Sequence, residues 1–415
     1  MPEESTVKPD QNATSPATTA VDTQDIGNLL EILITKAYEA KSSDIHIEPT
    51  EKKLVVRYRI DGLLREAFFF DKLLEEALLF KIKVEAQIRT DEHFAPQDGK
   101  IRFNIDGTPI DARISIVPTT KGEKVVIRLL VQQGKGLTLE ELGIVGTDLE
   151  KVNKSYTKPY GMILAVGPTG SGKTTTLYTI LKILNLRERN ITTIEDPVEY
   201  DIDGVNHIQV NTKADMTFAN GLRAILRQDP DIVMVGEIRD TETARIAINA
   251  AMTGHLVLST LHTNDAVTTI PRLVDMGIEN YLVASTVNVI IAQRLTRRLC
   301  EKCKQKYKLS KTELEHLQKM RPDIADFFKE DEALFKKNGC ETCSNTGYKG
   351  RVGLYEVLEL TEKIRRLISE KATVDDIFAL ARKLGLKLIV ESGSEKIKAG
   401  MIDFDELMRV STIRE

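Results

Sequence analysis

Apolar residues first recur at helical spacing, where Leu29, Leu30, Leu33, Ile34 and Ala37 line one side of the run IGNLLEILITKAYEAK and predict an amphipathic helix. The pattern then changes to strict alternation. The segments IHIE, KLVVRYRI, KIRFNI and PIDARISIVP read as strands, set apart by turn signals at Asp61-Gly62, Asp98-Gly99 and Asp106-Gly107. These elements predict a small antiparallel sheet with helices that ends near Leu130. Ahead of them, residues 1–22 carry few bulky apolar side chains, so a disordered tail is expected. Behind them, QQGKGLT at 132–138 has the composition of a linker. From 139 to 298 short apolar runs alternate with helical patterns, the signature of an α/β fold built on a parallel sheet. No internal repeat appears. The expected parts are therefore an α+β domain over 23–131, an α/β core over 139–298, a cysteine-bearing subdomain over 299–352 and a helical C-terminal subdomain over 353–415.

Composition narrows the class. A chain of 415 residues exceeds one ordinary core, and its 41% hydrophobic and 29% charged content is that of a soluble globular protein. The formal net charge of -4 supplies no overall basic footprint, so stable nucleic-acid binding is not expected, although a local basic patch stays open. Charges interrupt every apolar run before the roughly 18 residues a membrane span needs. No basic-then-apolar leader opens the chain either. Membrane association is thus expected only through a partner. All four cysteines fall in two CxxC pairs, Cys300/Cys303 and Cys340/Cys343, which suits metal-holding thiolates in a reducing cytosol better than a disulfide framework.

The main chemical signal is GPTGSGKT, Gly167 to Thr174, placed between the apolar run MILAV and the helix-like TTLYTILKIL. In a strand-loop-helix setting such glycines let backbone N–H groups close around phosphate oxygens, aided by the helix dipole. Gly167, Pro168, Thr169, Gly170, Ser171, Gly172, Lys173, Thr174 and Thr175 are the expected nucleotide contacts, with Lys173 on the β- and γ-phosphates and the Thr174 hydroxyl on Mg²⁺. Three later segments each close an apolar run with candidate chemistry. ITTIEDPVEY carries Glu195, Asp196 and Glu199, DIVMVGEIRD carries Glu237, and HLVLSTLHT carries His255 and His262. Ligands sit at the carboxyl ends of strands in open α/β sheets, so these groups should converge on the phosphates. There a carboxylate can orient the attacking water. The competing reading of any one acid is a helix cap or a solvated turn. His262 stands at a strand end, where it can sense the γ-phosphate. His255 precedes its strand and is the weaker candidate.

Together GPTGSGKT, TTIEDPVEY, LRAILRQDPDIVMVGEIRD and TGHLVLSTLHTNDA resemble, in order, the Walker A, Asp box, Walker B and His box of the secretion ATPase superfamily, which drives type II secretion and type IV pilus assembly. The resemblance runs from Ile26 to the C-terminus. It implies a RecA-like P-loop ATPase domain, a PAS-like N-terminal domain on a flexible linker, and a homo-hexamer using ATP and Mg²⁺ beside an inner-membrane platform protein. The implied location is cytoplasmic, peripheral to the inner membrane. It implies that Glu195 is the catalytic carboxylate and Glu237 the Walker B acid, here after Gly236 where Asp is usual, so that the metal contact is indirect. Arg113 and Arg128 match N-terminal-domain arginines that reach the phosphates, and Arg223 and Arg227 match a second pair, expected at i and i+4 on one helix face. For each arginine the alternative is a surface ion pair.

The cysteine pairs, with 36 residues between Cys303 and Cys340, form the two-plus-two set of a structural Zn²⁺ site at Cys300, Cys303, Cys340 and Cys343. Four thiolates leave no open coordination position. A redox pair or free thiols are the alternatives. Within the superfamily, assembly and secretion ATPases carry such an insert, followed by a segment like GRVGLYEVLEL, and retraction ATPases generally lack it. A longer N-terminal docking domain is often present in the family and only a short tail precedes Ile26 here, which keeps a DNA-uptake pseudopilus ATPase as an alternative.

Overall fold

The computed structural model describes residues 26–105, 107–130 and 137–411. The tail expected over 1–22, and 132–136 of the expected linker, lie outside the described residues. The chain divides into two compact units, Met1–Gln133 and Gly134–Glu415.

The first unit holds strands β1 (Asp44–Pro49), β2 (Lys53–Ile60), β3 (Leu63–Asp71), β4 (Gln97–Ile105), β5 (Thr108–Thr119) and β6 (Gly122–Leu130) in one antiparallel sheet ordered β3-β2-β1-β6-β5-β4. Alternation decides the buried face: Ile45, Ile47, Leu54, Val56, Ala112, Ile114, Val125 and Ile127 point into a core closed by Leu30, Leu33 and Ala37 of the helix Ile26–Glu39 and by Leu78 and Ile82 of the helix Glu75–Glu85. The expected turn at Asp98-Gly99 does not exist. Both residues lie inside β4. Gly99 is there because the strand passes close over the preceding helix end, and a side-chain carbon at that position would stand 2.8 Å from Ala86 Cβ.

In the second unit the main sheet has seven strands: β7 (Gly161–Val166), β8 (Ile191–Glu195), β9 (Asn206–Gln209), β10 (Ile232–Val235), β11 (Leu256–Leu261), β12 (Val287–Leu299) and β15 (Tyr348–Glu359), ordered β15-β12-β7-β11-β10-β8-β9. The two remaining strands, β13 (Gln305–Lys308) and β14 (Ala333–Lys336), pair with each other in the insert between β12 and β15. Strands β7, β8, β10 and β11 are buried throughout and pair in parallel, as strands covered on both faces do, and the half-exposed β9 adds a parallel edge strand beside β8. The boundary expected between 352 and 353 falls inside β15, which runs antiparallel to β12 and belongs to the main sheet. Its run VGLYEVLEL buries on both faces like its neighbours, so the C-terminal region opens on a sheet strand before its helices begin.

Where the insert returns to the sheet, a charged cluster is sealed in. Glu406, with its side chain 0% exposed, accepts from Arg297 and Arg409, and the Arg297 guanidinium stacks 4.2 Å over the Tyr348 ring. Burial alone would raise the Glu406 carboxyl, but hydrogen bonds from Arg409 and Arg297 outweigh it and hold the group at about 2. A folded-state value below the unfolded 4.5 contributes stability that is complete above 4.5 and vanishes as pH falls toward 2. Glu406→Gln is therefore expected to destabilise the chain by roughly 3 kcal/mol at neutral pH, because it removes the buried anion that pairs half-buried Arg297 and exposed Arg409. Denaturant titrations at neutral and acidic pH check this. The gap between parent and variant should narrow on the acid side, and a pH-independent gap contradicts the account.

Candidate nucleotide site and tetracysteine cluster

The loop after β7 turns directly into the helix Lys173–Leu184. Gly167, Gly170 and Gly172 take φ of 143°, 77° and 90°, which L side chains rarely adopt, so the glycines of the motif are what let this turn form. A side-chain carbon at Gly167 would also meet the Gln293 carbonyl oxygen at 2.5 Å. Lys173 is 8% exposed and donates to the Gly167 and Pro168 carbonyls at 2.8 and 3.2 Å. Burial pulls its ammonium below the ordinary lysine range, the Glu237 carboxylate opposes this and Arg294 adds to it. The Ser171 hydroxyl is buried in the loop without a hydrogen-bond partner in the described structure. A cradle of glycine backbone, one shielded ammonium and an orphaned hydroxyl fits a phosphate group. Thr174 and Thr175 stand half-buried in the first helical turn.

Glu237 follows the end of β10 and its side chain is 13% exposed, within 3.4 Å of His262 Nε2 and 2.5 Å of Arg239. Strand pairing brings Glu237 and His262 together: the Ile238 amide donates to the Thr260 carbonyl at 3.0 Å and Thr260 Oγ1 to the Gly236 carbonyl at 2.8 Å. Lys173, within the field of Glu237, and His262, 3.4 Å from Glu237, thus lie near one another at the ends of neighbouring strands. His255 sits at the opposite end of β11, beside the Ala250 carbonyl at 3.0 Å, and stays structural.

Glu195 ends β8 and is 2% exposed. Its oxygens accept from Tyr178, Thr193 and His207 at 2.5, 2.6 and 2.8 Å. Its backbone runs beside Gly236, where a side-chain carbon would come within 3.3 Å of Glu195 Cα.

Arg113 and Arg128 are cross-strand partners on β5 and β6 of the first unit, and Arg128 Nε donates to Asp44 at 2.9 Å. Arg223 and Arg227 do not share a helix face. The helix Phe218–Ile225 stops between them, because Pro230 lies ahead and Asp229 already takes φ 51°. Arg223 bonds Asn220 at 3.1 Å and pairs with Glu242, while Arg227 lies exposed in the turn that follows.

The four cysteine sulfurs all lie within 4.8 Å of one another, with nearest separations of 3.6, 3.8 and 3.9 Å. Four Zn–S bonds of about 2.3 Å imply sulfur–sulfur edges near 3.8 Å, so the donor set fits tetrahedral Zn²⁺. Backbone amides contribute as well. Burial works to raise the Cys343 thiol, yet N–H groups of Cys340 and Gly347 and the neighbouring thiols hold it down at about 6.

Residues 19–409 match the family described as type II/IV secretion system protein. The chain belongs to this family. It is 46% identical over 397 residues to the type II secretion system protein HxcR of Pseudomonas aeruginosa, covering 95% of this chain and 80% of that protein. It is 44% identical over 383 residues to the type II secretion system ATPase E of Vibrio cholerae, covering 92% and 75% respectively. Among solved structures, the pilus retraction motor PilT with bound ADP superposes with a TM-score of 0.64 at 27% identity, over 92% of this chain and 96% of that one.

In this secretion-family chain several site residues carry no local sequence signal. Gln293 of β12 is 1% exposed and bridges the phosphate loop, donating to the Ser171 carbonyl at 2.8 Å and accepting from Thr176 at 3.0 Å. Arg294 follows it, bonding the Asn264 carbonyl at 2.9 Å beside Gly167. Both contacts join residues far apart in sequence. Arg239, two residues after Glu237 in GEIRD, is assigned to the site by its ion pair with that carboxylate.

Proposed function

We propose that the chain is the ATPase motor of a type II secretion machine: a RecA-like domain that hydrolyses Mg²⁺-bound ATP, joined to a PAS-like N-terminal domain and assembled as a homo-hexamer on an inner-membrane platform protein. The observation that carries this reading is the buried Lys173 ammonium inside a glycine cradle, with Glu237 and His262 at the adjoining strand ends. The core strand order β12-β7-β11-β10-β8, that is 5-1-4-3-2 in order of appearance, supports the RecA-like description. The names carried by relatives at 44% and 46% identity support secretion as the process served. No helix among the described residues is long and apolar enough to cross a membrane, so a platform partner is the proposed route to the bilayer.

The bound nucleotide supplies the scissile anhydride and its metal ion the compensating charge. Lys173 neutralises the terminal phosphates, and the loop amides fix their position. Glu195 orients the attacking water, Glu237 holds metal-bound water, and His262 reads the terminal phosphate. Arg113, Arg128, Arg223 and Arg227 are the guanidinium groups that the resemblance offers for stabilising charge on the transferred phosphoryl. Cys300, Cys303, Cys340 and Cys343 would hold a Zn²⁺ whose part would be structural, tying the two ends of the insert together. Steady-state hydrolysis by purified chain tests the site. Glu195→Gln is expected to lower kcat about 100-fold or more while nucleotide still binds, and near-parental turnover removes Glu195 from the mechanism. Light scattering with ATP analogue tests the ring, which a persistently monomeric, fully active protein excludes.

A further inference from the structure

A carboxylate at 2% exposure needs hydrogen-bond partners, and Glu195 has three donors, each from a different part of the fold. Thr193 lies two residues earlier on the same face of β8. Tyr178 comes from the helix that begins at Lys173 of the phosphate loop. Its phenol, pushed far above the ordinary tyrosine value by burial and then by Glu195, remains a donor. His207 comes from β9 at the edge of the sheet, with its side chain 4% exposed.

The ring's own contacts fix which nitrogen faces the carboxylate. The Ile202 backbone N–H donates to His207 Nε2 at 3.2 Å, so that nitrogen carries a lone pair. The proton therefore sits on Nδ1, 2.8 Å from Glu195 Oε1 and 2.9 Å from Thr193 Oγ1. One side of the imidazole is anchored to the main chain and the other aims a single N–H at one carboxylate oxygen. Tyr178 holds the second oxygen from the phosphate-binding helix. Together the two donors set the carboxylate plane, and with it the direction of the lone pair left for water.

We infer that His207 is a positioning residue for Glu195, its Nδ1–H fixing the orientation in which that carboxylate serves ATP hydrolysis. This rests on the reading of Glu195 as the water-orienting group. The side chains that can carry or lack the donor make the test specific. Asn places an amide N–H where Nδ1–H stands, Leu fills similar space without a donor, and Gln places its amide where Nε2 stands.

Steady-state ATP hydrolysis by full-length variants, with melting temperatures alongside, reads the outcome. His207→Leu is expected to lose about 10-fold or more in kcat, in the range typical for groups that orient a reacting ligand. KM for Mg-ATP should stay within about twofold, since ground-state binding is untouched. His207→Asn should recover most of the parental kcat, and His207→Gln should not. In a Glu195→Gln background His207→Leu should add no further loss, because both changes act through one carboxylate. Parental kcat in His207→Leu while Glu195→Gln is inactive overturns this inference and leaves the Glu195 reading standing. An active Glu195→Gln removes that reading first. Losses that multiply in the double variant, or an Asn variant as slow as Leu, assign His207 to packing alone. If His207→Leu does not fold, the Asn and Gln pair carries the comparison by itself.

Discussion

A Lys173→Ala chain is expected to hydrolyse ATP about 1,000-fold more slowly than the parent, or below detection, while melting close to it. The reason is local. Lys173 occupies a shielded position where its ammonium donates to the Gly167 and Pro168 carbonyls within the fields of Glu237 and Arg294. Burial already disfavours its charged form, so the folded chain gives up stability to keep an ammonium there. Removing the charge should therefore cost catalysis and not folding. Nucleotide binding measured by calorimetry should weaken in parallel. A Lys173→Ala chain with parental turnover is incompatible with the phosphate cradle.

The second large effect is expected at the cysteines. Purified chain should carry about one Zn²⁺ per molecule, and chelation or Cys343→Ser should release it. Structural zinc sites bind with apparent free energies on the order of 10 kcal/mol at neutral pH, much of it coupled to folding. The cluster closes the base of the insert, where β12 and β15 already pair as far as Leu299 and Tyr348: Cys300 directly follows β12, and Cys340 and Cys343 sit in the turn just before β15. Behind them lies a small core of Leu309, Leu317, Ile324, Phe328, Leu334, Ile397 and Leu407. Loss of the metal is expected to melt this region well before the main sheet, as a separate early transition in calorimetry and protease sensitivity near 300–347. Unchanged melting after complete zinc removal contradicts a structural role.

Much of this architecture is legible in residue patterns because the signals are local. Alternation along IHIE and KLVVRYRI fixes which face of the first sheet is buried, and a phosphate loop needs only eight consecutive residues to announce itself. Other features fail to appear for the same reason. Asp98-Gly99 has the composition of a turn, but the close approach of Ala86 gives Gly99 a different purpose inside a strand. The apolar run of β15 has no period that separates a fully buried strand from a buried helix, and only its pairing with β12 decides. Arg223 and Arg227 look like one helix face until Pro230 ends the helix early. His207 is the clearest case. It stands in a short edge strand with no motif around it, and its meaning lies in a carboxylate 12 residues away in sequence.

The insert and the phosphate loop are also connected in a way that bears on force. Gln293, which grips the loop, and Leu299, after which the first metal knuckle begins, lie on one strand about 20 Å apart. Strand β12 is stiffened along that length by β15, while its pairing with β7 ends at Ala292. A pull on the knuckle in the direction of the strand is borne as tension along an extended backbone, interrupted by one shift in register between Arg297 and Leu299. The insert and the residue that grips the loop are thus parts of one strand, paired to β15 between them.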